Sequence, residues 1–206
     1  MATRLNTAPQ ANTKPLLAAI LCAAAIAASF LPGSSAATAA SSSPPSQLMI
    51  QTCSKTSNEH LCINLLQSNN RSSAATTVHD LAVVAVTAAR RSALRGRILW
   101  LDLSYQAKAR ASSSSSSSSV ADRLVARCAA LYEECVSAGA KAVGRVTFMP
   151  PAYDARVAHA VSDLRRFPER CQGIFDERNL VSPLEKVNTE AVEKLRVAEE
   201  IVRLLR

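Results

Sequence analysis

Aromatic side chains make up only 4% of this 206-residue chain, and it holds just five glycines. With Ala and Leu abundant, that shortage speaks against a sheet protein and for helices packed through small side chains. Sequence signatures of catalysis are absent as well. There is no G-x-S-x-G, P-loop, G-x-G-x-x-G or H-E-x-x-H pattern, so the common nucleophile elbows, phosphate cradles and zinc helices are excluded. Glu133 and Glu134 are adjacent and point about 100° apart on a helix, which excludes a facing acid pair. His79 and Asp80 stand side by side with no nucleophile at readable spacing. No C-x-x-C occurs, and His60 near Cys62 does not have zinc spacing, so neither a metal nor another cofactor is expected. The net charge is +8, yet no dense Lys/Arg block with interleaved aromatics appears. A basic solvated surface is therefore the favoured reading over an anionic partner such as nucleic acid or acidic polysaccharide.

What the chain does have begins with an export signal. Arg4 and Lys14 precede the apolar run Pro15–Leu31, no acid occurs in Met1–Ala40, and no charge falls between Lys14 and Lys55. Ala37-Thr38-Ala39 and Thr38-Ala39-Ala40 both fit a cleavage site. Residues 1–40 read as a secretory signal peptide, with an uncleaved signal anchor as the alternative. Its removal takes Arg4, Lys14 and Cys22 with it and leaves no membrane segment. Residues 41–47 follow as a flexible Ser/Pro start, and the folded module is expected over 48–206.

Hydrophobic periodicity organises that module. Leu48–Leu66 carries Cys53 and Cys62, and a turn at Thr56-Ser57-Asn58 would fold it into a short helical hairpin stapled by those two cysteines. Ser57 or Asn58 would cap the hairpin's second helix. Ser68–Thr77 is a polar connection containing the glycosylation sequon Asn70-Arg71-Ser72. Val78–Ala109 is a long helix with Val78, Leu81, Ala85, Ala88, Ser92, Leu99 and Leu103 on its dry face. Gly96 weakens its middle, Trp100 is expected to pack, and Arg90, Arg91, Arg95 and Arg97 form a solvated face. The serine run Ser112–Ser119 is expected to be a loop. Val120–Gly144 is the central helix, with Val120, Leu124, Cys128, Leu131, Cys135, Ala138 and Ala142 on one face and a stop near Gly144. Met149-Pro150-Pro151 breaks the chain. A third rod runs over Tyr153–Phe167, where Pro168 kinks or restarts it. Ser182-Pro183-Leu184-Glu185 reads as an N-cap, Pro at the first helical position and a capping acid. The stripe Leu184, Val187, Ala191, Leu195, Ala198, Ile201 and Leu205 then runs to the C-terminus. An all-α, up-and-down four-helix bundle behind a helical hairpin is the simplest way to bury these stripes.

After export five cysteines remain in an oxidising compartment: Cys53, Cys62, Cys128, Cys135 and Cys171. An odd count leaves at least one free or paired between molecules. Cys128 and Cys135 share a helix face with their Cα atoms ~10 Å apart, too far for a bond. Cys171, near the end of the third rod, is within reach of Cys128. Cys135 is then the spare thiol, with burial favoured over a dimerising role.

The ordered pieces resemble a known family. They are Ile50-Gln51-Thr52-Cys53 with Thr56 and Cys62, Cys128-Ala129-Ala130-Leu131-Tyr132, Tyr153-Asp154-Ala155, Cys171 with Phe175, Ser182-Pro183-Leu184 with Asn188, and Ile201-Val202-Arg203-Leu204-Leu205. In order and spacing they are similar to the plant invertase and pectin methylesterase inhibitors, over about Leu48–Arg206. The resemblance implies a four-helix bundle with an N-terminal hairpin, and the bonds Cys53–Cys62 and Cys128–Cys171. It also implies a secreted inhibitor that docks one-to-one over the active-site cleft of an apoplastic, cell-wall or vacuolar carbohydrate enzyme. The alternative function is a secreted structural or pectin-binding bundle. Tyr153-Asp154-Ala155 and Ser182-Pro183-Leu184 resemble the invertase-inhibitor branch more closely. Departures are the stretch His159–Leu164, where many members carry Trp and Ser-Ala-Ala, the serine run, and Cys135 in place of a common alanine.

Overall fold

The fold is taken from a computed structural model, which describes residues 44–113, 119–148 and 155–205. The signal-like residues 1–40, the proline break at 149–151, Tyr153 and Asp154 lie outside them. Among the described residues all regular structure is helical. Helices α1 (Gln47–Cys53) and α2 (Glu59–Gln67) form the hairpin, followed by a 3-10 turn, Asn70–Ala74. The bundle consists of α3 (Val78–Ser113), α4 (Val120–Thr147), a third rod and a fourth helix. That third rod is α5 (Ala155–Ser162), a 3-10 turn Asp163–Arg165, and α6 (Arg166–Asp176); the fourth helix is α7 (Glu185–Arg203).

The hairpin closes as its residue types dictate. Ser46 accepts the Met49 N–H and caps α1, while Asn58 accepts the Leu61 N–H at 3.0 Å and caps α2. Cys53 and Cys62 are bonded and fully buried. The turn between them is held against the bundle by the Ser57 N–H, which donates to the Glu200 carboxylate on α7 at 2.9 Å.

Helix α3, about 54 Å long at 1.5 Å per residue, starts at a reciprocal cap. The Asp80 carboxylate accepts the N–H groups of Thr76 and Thr77, and the Asp80 N–H donates to Thr77 Oγ1. Its dry face departs from the expected stripe. Leu81, Ala85 and Ala88 are buried as read, but the buried line then passes through Ala93, Gly96 and Trp100, while Leu99 is exposed. The shift has a steric cause at Gly96. Tyr132 of α4 lies over that glycine so closely that a Cβ built there would sit 2.3 Å from its Cε1. The glycine is therefore the seat of the α3–α4 contact, and the face that carries it is the inner one. Two of the four arginines read as solvated also work between these helices. Arg90 lays its stem over Gly139 and donates from Nε to the Val136 carbonyl at 3.3 Å, and Arg97 pairs with Glu133.

The serine run is shared out rather than wholly a loop. Ser112 and Ser113 continue α3, with Ser112 Oγ donating to the Ala109 carbonyl, and Ser119 caps α4 in a reciprocal box with Asp122. A short hydroxyl can bond a free backbone group at either helix end; 114–118 lie outside the described residues. On α4 the expected face is buried at Leu124, Cys128, Leu131, Cys135 and Ala142 and half-buried at Ala138, although Val120 at its start is 41% exposed. The helix does not stop at Gly144 but runs on to Thr147, burying Val146.

Pro168 restarts the third rod. It sits in the first turn of α6, just after the 3-10 turn. Lacking an N–H, it cannot bond the Leu164 carbonyl as a continuous α-helix would require. The Cys135 thiol donates to that carbonyl at 3.6 Å. α6 ends with Asn179 in the left-handed region (φ 52°) and the Leu180 N–H returning to the Phe175 carbonyl, the pattern of a Schellman cap. Ser182 is not the N-cap of α7. Pro183 and Leu184 form a turn, α7 begins at Glu185 without a side-chain cap, and Ser182 Oγ is buried without a partner.

The core has two halves. At the hairpin end, α1, α2, the first half of α3, the second half of α4, α5 and the C-terminal half of α7 enclose Leu66, Leu81, Val86, Val161, Leu195 and Ile201. At the other end α3, α4 and α6 enclose Trp100, Leu124, Phe175 and the Cys128–Cys171 bond.

Candidate functional site

The half of the bundle around Trp100 is built on aromatic and polar contacts. Trp100, fully buried, stacks on Phe175 of α6 with centroids 5.9 Å apart. Tyr132 donates its hydroxyl hydrogen to Asn188 Oδ1 at 2.9 Å, and the Asn188 amide donates to Gln172 Oε1 at 3.0 Å. This chain of polar groups links α4, α7 and α6 through the interior. Burial, with the Cys135 thiol nearby as a second cause, pushes the Tyr132 hydroxyl well above its ordinary range, so it remains a donor at any physiological pH. The Trp100 Nε1 hydrogen is buried with no partner in hydrogen-bonding geometry, though the indole lies near enough to Tyr132 to oppose part of that rise. At the other end Glu199, 5% exposed, is held by Arg165 at 3.3 Å and Arg203 at 2.5 Å. These buried polar groups fix the relative rotation of the helices, because slipping any one of them would strand a desolvated partner.

Among the described residues, the nucleophilic and basic side chains of the interior are taken up in packing and hydrogen bonds. Cys135 is 1% exposed, and burial pushes its thiol up to about 12, so no thiolate nucleophile is available near neutrality. His79 Nε2 pairs with the Val146 carbonyl at 2.8 Å, His60 lies beside the Asn64 amide, and His159 is exposed. Among the described residues no group of three or more His, Cys, Asp or Glu is placed to hold a metal. None of the described helices is long and apolar enough to cross a membrane.

Among the described residues, a groove and an apolar row on the outer surface could serve a partner. The groove is open, about 450 Å³, and lies between α4 and the α5–α6 rod, with Lys141, Arg145, Arg166 and Arg170 along its edges. The row lies on α3, with Ile98 57% and Tyr105 67% exposed.

The structure pairs Cys53 with Cys62 and Cys128 with Cys171, and leaves Cys135 as a buried free thiol. Asn70 opens the 3-10 turn after the hairpin with its side chain exposed, while Asn69 beside it is buried and caps that turn. The sequence reading assigned no structural role to Gln172 and Glu199, and took Gly96 for a weak point. Asn188 interrupts an otherwise apolar stripe, and such a polar residue on a dry face is a readable sign of a buried partner. Gly96 and Glu199 gave no such sign, since their roles depend on what other helices bring to them.

No curated protein matches the chain. The family described as plant invertase/pectin methylesterase inhibitor matches residues 47–203, the span from the first residue of α1 to the last residue of α7. That match covers the hairpin, all four rods and both disulfides, and the chain belongs to the plant invertase/pectin methylesterase inhibitor family.

Proposed function

We propose that this protein is a secreted inhibitor that blocks a plant carbohydrate-active enzyme, an invertase or a pectin methylesterase, by laying the stapled bundle over its active-site cleft in a one-to-one complex. The family match over the whole helical module carries this reading. The frame supports it physically. Two disulfides, the Trp100–Phe175 stack and the Tyr132–Asn188–Gln172 chain stiffen the helices before any partner arrives. A binder that is already rigid loses less conformational freedom on docking. Residues 1–40 would direct export and be removed, placing the protein in the apoplast or the vacuole.

The test is residual activity. Purified invertase and purified pectin methylesterase are each titrated with the oxidised, processed protein at mildly acidic and at neutral pH. One enzyme should lose activity with a break at one equivalent. Full activity of both at about 10 μM protein, more than the micromolar scale of a weak specific complex, would overturn the proposal.

A further inference from the structure

The groove between α4 and the α5–α6 rod combines an apolar floor with cations on both walls. Its floor is Ala138, Ala142, Ala160 and Leu164, with Phe167 half-buried at one side. Lys141 and Arg145 stand one helical turn apart on the α4 wall, and Arg166 and Arg170 one turn apart on the facing wall. Residues four apart on a helix rise ~6 Å, so each wall carries a short ladder of cations. Two carboxylates border the groove, Glu134 and Asp163, and Asp163 is already paired with Arg166 at 3.0 Å. Among the described residues Lys141, Arg145 and Arg170 have no acidic partner.

We propose that this groove is a binding site for a linear polyuronate, a sugar polymer with a free carboxylate on each residue, and that it acts separately from enzyme blockade. The carboxylates of such a chain alternate between its two edges and would meet cations on both walls, while its C–H faces rest on the apolar floor. A volume of about 450 Å³ lies within the usual range of ~300–1,000 Å³ for ligand clefts. An acidic protein segment is the less suitable occupant. Tight protein contacts centre on a bulky anchor seated in a fully desolvated pocket, and this groove is open between two rows of charged side chains. The site does not depend on which enzyme is inhibited. One of the two enzymes named for the family, pectin methylesterase, frees uronate carboxylates from their methyl esters, so the ligand would collect where that enzyme has worked.

The experiment is titration calorimetry of the oxidised protein with polygalacturonate oligomers, with the same oligomers fully methyl-esterified, and with poly-L-glutamate of matched charge. Binding to the free uronate is expected, at least about tenfold tighter than to either comparison ligand, and weakening as salt shortens the reach of the charges. Lys141→Gln/Arg145→Gln/Arg170→Gln should lose at least about tenfold in affinity, one decade of the equilibrium constant. Lys55→Gln/Arg91→Gln/Lys108→Gln, which removes equal charge from other exposed positions, should lose less than about threefold by the same measure. Equal loss in the two variants would overturn the proposal by showing a general polyanion effect. Equal affinity for the methyl ester, or for poly-L-glutamate, would overturn it as well, the latter by pointing to an acidic protein segment. All the substituted side chains are exposed, and far-UV circular dichroism checks that each variant is folded. The readout contains no enzyme, so failure here and failure to inhibit are separate results.

Discussion

At the scale of the residue, the glycines make opposite predictions from one residue type. Gly96 lies under Tyr132, and an added methyl would meet the ring at 2.3 Å. Gly96→Ala gains ~1 kcal/mol of helix propensity and loses more to overpacking, so a net destabilisation of roughly 1–3 kcal/mol is expected. Gly144 has nothing within 4 Å of the same position, and Gly144→Ala should stabilise by about 0.5–1 kcal/mol. Denaturant midpoints of the two variants against the parent decide the matter, and a stabilised Gly96→Ala would contradict the close approach of α3 and α4. Cys135 gives a pH prediction. Burial lifts its thiol from 9.0 to about 12 in the folded state. The folded state therefore holds the proton where the unfolded chain has lost it. The stabilisation is complete below about pH 9 and falls as pH rises from there towards 12. The parent should lose stability relative to Cys135→Ala over that range, and the thiol should resist alkylation until the protein is unfolded. Parallel pH profiles of the two proteins would contradict it.

At the scale of the element, the staples differ in what they constrain. Cys53–Cys62 spans 9 residues and Cys128–Cys171 spans 43. Chain-entropy reasoning assigns them about 2.6 and about 4 kcal/mol respectively. Cys128→Ala/Cys171→Ala should accordingly cost more than Cys53→Ala/Cys62→Ala, measured by urea unfolding of each double variant. The reverse order would mean that the hairpin, tied to Glu200 of α7, holds the bundle together more than the central link does. The helix starts are suited to mildly acidic surroundings. Hydrogen bonds from the Thr76 backbone, and from Ser119, hold the Asp80 and Asp122 carboxyls below the usual 3.8. Their capping contribution is in full force above that value and is lost only as pH falls through the depressed folded values.

For the whole molecule, the prediction concerns maturation. Expression in a plant secretory system should give a product whose N-terminus follows Ala39 or Ala40, read by Edman or mass mapping. Asn70 is exposed on the turn behind the hairpin, so the product should carry an endoglycosidase-sensitive glycan that Asn70→Gln removes. A secreted protein that begins at Met1 would overturn the export reading. Secretion without the glycan would leave export standing and remove Asn70 as a modification site.

The hairpin turn capped by Asn58, the stripes of α4 and α7 and the restart at Pro168 were all determined by local chemistry. Periodicity, caps and proline act within a few residues of themselves, so a linear reading can follow them. The candidate groove could not be read this way, because Lys141 and Arg145 on α4 become a site only when the third rod brings Arg166 and Arg170 opposite them. The same holds for Gly96, whose role is set by a tyrosine from the next helix, and for Ser182, which the pattern marked as a cap and the fold buried instead. Sequence by itself determined which segments coil and, for α4 and α7, which side is dry; on α3 the contact of Tyr132 with Gly96 moved the buried line. The tertiary structure decided which dry residues touch and which cations face each other, because those depend on how the helices are rotated and spaced, and no residue sets that alone.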